Sequence, residues 1–383
     1  MNIKQYIDDI NEIQHNILEY IEKEDDEEEN FQNIISSFEC KGTTKRKYEI
    51  KLVFRTLLKI AQNHHRTPNF FSKIEQILLY FKDEIKIFFT NADIFDIFKN
   101  NKRIILFLLE QKLMFIDEYV FSHISSQKFN SRNYHKYFEP EIESYFSSLH
   151  EFILLRTDSD KDKDKDDKKI EDKKKFDDFN SKRKKGENEN ELCQIIQQDL
   201  IEEFITLIKK ENYSINSHIE CSIFETNSFL LKNKKYSLIQ YATFFGSPQI
   251  AKYLFLNGVK LNDSIWLYAI HGDDAEIIRL LEDKYKVKLE NNSSLLFKCI
   301  LESIKCHHND ITNYLRCNYV EIKFSNYYYK TVLRQMFHYY NTSYFSDYQN
   351  KKLFFKYACE YDYFTLVKLF LITKDIDLNE IVI

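Results

Sequence analysis

The side chains most capable of chemistry in this sequence are five thiols and imidazoles lying close together: Cys299, Cys306, His307, His308 and Cys317. Thiolate and imidazole are the ligands of zinc. Zinc knuckles, however, take their ligands two to four residues apart, and no Cys-x-x-Cys pair is present. His307-His308 falls between two apolar helical runs and reads as a polar inter-helix turn. His64-His65 precedes Thr67-Pro68 in the same way, where imidazoles suit the negative end of the preceding helix. Neither metal nor cofactor is expected. No Gly-x-Ser-x-Gly elbow or phosphate-binding glycine loop occurs, and with 5 glycines a backbone nest for phosphate is hard to build. The carboxylates show no pair that stands out from a solvated background. A catalytic function is therefore not expected.

The elements that would carry such residues are helical hairpins. Ser237–Asn262 is the best preserved: Ser237 caps a first helix, Gly246 breaks it, and Ser247-Pro248 starts a second bearing Ile250, Tyr253 and Leu254. Gly258 stands where a helix end wants a left-handed residue. One hairpin cannot bury its own apolar face, so it needs copies. Ser264–Ala269 with Gly272, Ile277 and Leu281 is one. Ser294–Cys299 with Ile311 and Leu315 is another, Thr331–Tyr340 is a weaker one, and Leu353–Ala358 with Leu366 and Phe370 is the last. Ile104, Leu108 and Leu109 repeat the spacing of Ile250, Leu254 and Phe255 in the N-terminal half. The period drifts around thirty residues, as in helical solenoids.

Ahead of these lie a helix over Asn2–Glu24, one over Tyr48–Ala61, one from Thr67-Pro68 to about Phe89, and one over Glu141–Leu155. The isoleucines at 3, 7, 10, 17 and 21, with Gln14 at the missing position, form either the docking stripe of a terminal helix or a short self-association seam. Asp158–Glu189 alternates Lys and Asp and reads as a disordered linker, or as a lone helix held by i,i+4 charge pairs. Glu191–Lys210 resumes as a single amphipathic helix. The expected fold is all-α: a helical-hairpin solenoid with an N-terminal helical part. Residues 1–156 and 191–383 are its two domains, and 157–190 is the charged linker.

Composition narrows the class. The 43% apolar content supports a core, and the scarcity of Gly and Pro disfavours glycine-turned sheets. The 26 Tyr and 33 Phe accompany an Asn, Lys and Ile excess that fits AT-rich coding, so they carry little functional weight. A net charge of −5 without a concentrated basic face argues against nucleic acid. No charge-free apolar run of about twenty residues points to a membrane. Asp8, Asp9 and Glu12 exclude a signal peptide, and the 7 scattered cysteines suit a reduced, intracellular, cytoplasmic setting. Lys182-Arg183-Lys184-Lys185 is a candidate nuclear import signal within the linker.

Ser237-Leu238-Ile239-Gln240-Tyr241-Ala242 resembles the Thr-Pro-Leu-His-x-Ala box of ankyrin repeats, and Asn257–Asn262 resembles their finger. No copy keeps the full box that locks neighbouring repeats together in that family. The step to Trp266 is also short, so the finger is trimmed there. Phrases such as Asn63–Phe71, Phe224–Leu230, Trp266–His271 and Ser303–Asp310 resemble a large protist family of ankyrin-like proteins that share a domain without assigned activity. The resemblance implies a non-catalytic protein–protein interaction scaffold. In ankyrin repeats the slot before the alanine faces the concave groove, so Tyr241, Tyr268 and Tyr357 are its candidate anchors, with Phe245 beside them. The polar finger adds Lys260, Asn262 and Asp263. The competing reading is that tyrosine only fills gaps between first helices.

Overall fold

Successive first helices of the repeats end in the same backbone conformation. The computed structural model describes residues 2–23, 27–126, 133–154, 166–319, 326–345 and 350–373. Within it Gly246, Asp273, His307, Tyr340 and Asp362 all have φ between 51° and 64°. Four of these turns are also closed by the residue that follows, whose N–H bonds five residues back: Ser247 to Ala242 O, His308 to Ser303 O, Asn341 to Met336 O and Tyr363 to Ala358 O, at 2.9–3.0 Å. This is the left-handed helix stop that leaves few carbonyls orphaned. Glycine adopts it freely, and Asp and His tolerate it, so the repeat survives in the backbone where the glycine is lost.

The protein is all-α among the described residues apart from a ribbon of two three-residue strands, His218–Glu220 and Lys235–Ser237. The chain divides into two compact units: residues 1–81, 195–219 and 237–383, and residues 82–194 with 220–236.

In the first unit the hairpins are Leu238–Phe244 with Pro248–Leu256, Ile265–Gly272 with Ala275–Glu290, Ser293–Cys306 with Asn309–Tyr319, and Lys351–Glu360 with Phe364–Thr373. First helix packs on first helix from Leu238–Phe244 through Ile265–Gly272 and Ser293–Cys306 to Asn326–Tyr339. Gly246 and Gly272 meet in this stack. A Cβ on Gly272 would come 2.2 Å from Thr243 O, and one on Gly246 would come 2.8 Å from Gly272 O. The N-terminal helices belong to the same unit: Lys47–Asn63 packs on Ser293–Cys306 and on Phe364–Thr373. The isoleucine stripe at 3, 7, 10, 17 and 21 is buried in this packing, so it is a docking stripe and offers no free seam. Gln14 is buried with it. Its amide donates to Tyr340 O at 2.5 Å and accepts from Thr342 N at 2.8 Å, which accounts for a polar residue on that face.

Three expected helices differ. Glu191–Lys210 is two helices, Glu191–Gln197 and Ile201–Lys210, parted by Asp199 at φ 52°. The break lets the Asp199 carboxylate accept from Gln249 N and Ile250 N, both at 3.0 Å, at the start of the next hairpin. Ser247, the expected cap there, makes no cap bond. Thr67-Pro68 does not cap either: the helix starts at Phe70, while Thr67 Oγ1 donates to Ile21 O. That helix ends at Tyr80, and Lys82–Phe88 follows as a separate one.

In the second unit Asp166–Lys185 is a helix, so this part of the expected linker is ordered; residues 158–165 lie outside the described set. Its end is tied down by Arg183, which is 2% exposed and binds both Glu141 carboxylate oxygens at 2.7 and 2.9 Å and Tyr137 O at 2.9 Å. Tyr137 Oη donates back to Arg183 O.

Candidate functional site

The three tyrosines expected on an exposed groove lie inside the first unit. Tyr241, Tyr268 and Tyr357 are 1%, 3% and 7% exposed. The Tyr241 hydroxyl accepts from Gln197 Nε2 at 2.9 Å, and its ring packs on half-buried Phe245. Rings buried this far present little surface to a partner, which favours gap filling between first helices over groove anchoring. The finger is different. Lys260, Asn262 and Asp263 are exposed, and Lys260 N–H is held by Asn216 Oδ1 at 2.9 Å. Leu256 at 75% and Tyr213 at 42% exposure lie in the two segments so joined, flanking the polar finger.

The basic tetrad is a structural element of the second unit. Lys182 pairs with Asp178, Arg183 with Glu141 and Lys184 with Glu110. An import signal must be presented as a run, and Arg183 is buried within this run.

The interior of the first unit holds a ladder that the sequence did not reveal. Ser247 Oγ donates to Ile196 O at 2.6 Å, His308 Nδ1 bonds Ile270 O at 2.7 Å, and Asn341 Nδ2 donates to Ile304 O at 3.0 Å. Each donor directly follows a left-handed turn or, at Ser247, Gly246; each acceptor is a carbonyl near the C-terminal end of an earlier first helix, where acceptors are left over. These bonds tie each turn to an earlier helix.

Two groups of potential metal ligands are built on this ladder. In one, ligand atoms of His64, His65 and His308 lie within 4.8 Å of one another. His64 caps the end of Lys47–Asn63, and its Nδ1 bonds Cys306 O at 2.7 Å. His308 Nε2 is 3.0 Å from His65 Nδ1. A carbonyl only accepts, so Nδ1 carries the proton in both His64 and His308, and their Nε2 lone pairs remain. Burial holds His65 and His308 well below the usual imidazole range. Asp273 Oδ2 stands 3.8 Å from His65 Nδ1. Its carboxyl is pushed up to about 7, chiefly by burial.

In the other group, ligand atoms of His271, Glu302 and Cys306 also lie within 4.8 Å of one another. His271 Nε2 meets Glu302 Oε1 at 2.7 Å, and the Cys306 thiol is 3.3 Å from His271 Nδ1. Lys305 is ion-paired with the same Glu302. Burial alone would raise the Glu302 carboxyl; the His271 hydrogen bond and the Lys305 charge overcome it and hold it well below the carboxylate range. Burial likewise pushes the Cys299 thiol up to about 12, which marks it as inert.

Compared with known proteins, the chain matches no family model, no curated protein and no solved structure. No helix among the described residues is long and apolar enough to cross a membrane. The sequence offered two histidine doublets, each in a turn slot, but no spacing rule joins His64-His65 to His308, more than two hundred residues away.

Proposed function

We propose that the protein is a non-catalytic scaffold of degenerate ankyrin-like repeats that binds a protein partner through the finger face of its first unit. The observation that supports this reading most is the exposure of Leu256 and Tyr213 beside Lys260, Asn262 and Asp263, on backbone fixed by the Asn216–Lys260 bond. Apolar centres with a polar rim are how protein interfaces are built, and tyrosine is enriched in them. The partner segment is one with an apolar anchor for Leu256 and charge on both sides, to meet Lys260 and Asp263. The repeat stack supplies rigidity: its locking bonds and left-handed stops hold the finger without help from a partner.

Proximity labelling in cells followed by pull-down tests the reading. The full chain is compared with a Leu256→Asp/Tyr213→Ala double variant whose fold is checked by circular dichroism. Loss of specific partners from the variant supports the finger face. An unchanged partner set contradicts it.

A further inference from the structure

We infer that His64, His65 and His308 form a binding site for a divalent transition-metal ion, zinc foremost, with a carboxylate from Asp273 or Glu22 in the fourth position. The case begins with the ladder. Ser247 and Asn341 show that the His308 position needs only one donor to lock two repeats. His308 spends Nδ1 on that lock and has a second nitrogen left over, directed at His65. His64 repeats the arrangement, with Nδ1 on Cys306 O and Nε2 buried without a hydrogen-bond partner. An imidazole held by Nδ1–H on a backbone carbonyl with Nε2 presented is how metal-ligating histidines are oriented.

The distances fit. Metal–nitrogen bonds of about 2.0–2.1 Å in a tetrahedron place ligand atoms about 3.3 Å apart. His65 Nδ1 and His308 Nε2 are 3.0 Å apart, sharing one proton where an ion would bind two lone pairs. Glu22 Oε1 is 3.3 Å from His64 Nε2, outside hydrogen-bonding geometry, so two acceptors face each other across one metal-sized gap. Glu22 and Asp273 are partly open to solvent, at 43% and 34%, which gives an entry path. The carboxylates of Glu22 and Asp273 supply the negative charge that a divalent ion needs beside imidazole ligands. The ligand set contains no thiolate, which selects against Cu(I) and suits zinc, cobalt or nickel.

The His271, Glu302 and Cys306 group is the weaker of the two. Lys305 already neutralises Glu302, so an ion there would bring a second positive charge into the same buried space. The trihistidine site joins Lys47–Asn63 to the Ser293–Cys306 hairpin, so its occupation would clamp the N-terminal helices onto the repeats, all within the first unit.

The test uses the full chain, stripped with a chelator and dialysed. Zinc is titrated against a chromophoric competitor and cobalt is followed by its visible absorption, with thermal unfolding recorded in parallel. The expected result is one zinc per chain, a tetrahedral cobalt spectrum, and a thermal midpoint raised by about 2 °C or more on loading. His308→Asn keeps a donor for Ile270 O, as Asn341 does for Ile304 O, and should weaken binding by about a hundredfold or more. His65→Gln, at a half-buried ring, is the second variant should the first fail to fold. Asp273→Asn and Glu22→Gln identify the carboxylate, which should weaken binding about tenfold. No zinc uptake by the wild type overturns the inference. So does uptake unchanged in both histidine variants.

Discussion

The two histidine groups inside the first unit are built from the same turn and differ in what balances their charge. His271, Glu302 and Lys305 form a closed set: an imidazole, a carboxylate and an ammonium that satisfy one another away from water. Among the described residues no lysine is ion-paired with the carboxylates of the His64, His65 and His308 group, and these carboxylates, Glu22 and Asp273, sit at the rim. The contrast teaches that buried histidine is not one kind of feature. Where a lysine completes the set, the cluster is a structural ion pair; where lone pairs converge and acids wait outside, it is a ligand set.

The largest expected effect is on the closed set. Lys305→Met leaves Glu302 buried with only His271 to balance it, and should cost about 3–5 kcal/mol in urea unfolding. A loss below about 1 kcal/mol would place Glu302 in a wetter environment and remove the contrast between the groups. Gly272→Ala comes next. Its Cβ must push against Thr243 O, so about 1–3 kcal/mol should be lost. Gly272→Ala should also weaken zinc uptake, because Ile270 O, which holds His308 Nδ1, and Asp273 both lie within two residues of Gly272; uptake unchanged despite the lost stability would make the cluster independent of this contact.

His308→Asn separates lock from ligand. Without metal its stability should stay within about 1.5 kcal/mol of wild type, since one neutral hydrogen bond replaces another. A pH-dependent effect concerns a histidine in neither group. Burial, aided by Lys59 and Arg334, pushes His338 down to about 4. For a base depressed below its unfolded value of about 6.5, the unfolded chain binds the extra proton. Stability should therefore fall as pH drops from about 6.5 through about 4, and His338→Gln should flatten that part of the curve. An unchanged acid limb would assign the loss to the clustered histidines.

Much of the fold was legible because it is written in local pattern. The cap at Ser237, the break at Gly246, the left-handed stop at Gly258 and the paired stripes of the hairpins follow from period and turn chemistry. What escaped depends on contacts distant in sequence. Asp199 breaks a continuous apolar stripe to cap another helix, and nothing near it signals that. The groove tyrosines were misplaced because slot position in a repeat does not fix exposure once neighbouring first helices close in. The charged stretch read as a linker because single-residue composition hides Arg183, whose carboxylate partner lies more than forty residues upstream. The histidine doublets were visible, but a turn doublet and a ligand pair look alike until the fold brings two together.

X-ray absorption at the zinc edge of the loaded full chain tests the contrast most directly, because the two groups differ in their ligand atoms. The account expects a single shell of nitrogen and oxygen at about 2.0–2.1 Å with the outer scattering of imidazole rings. A sulfur shell at about 2.3 Å would place the ion on Cys306 beside Glu302, and would contradict the account.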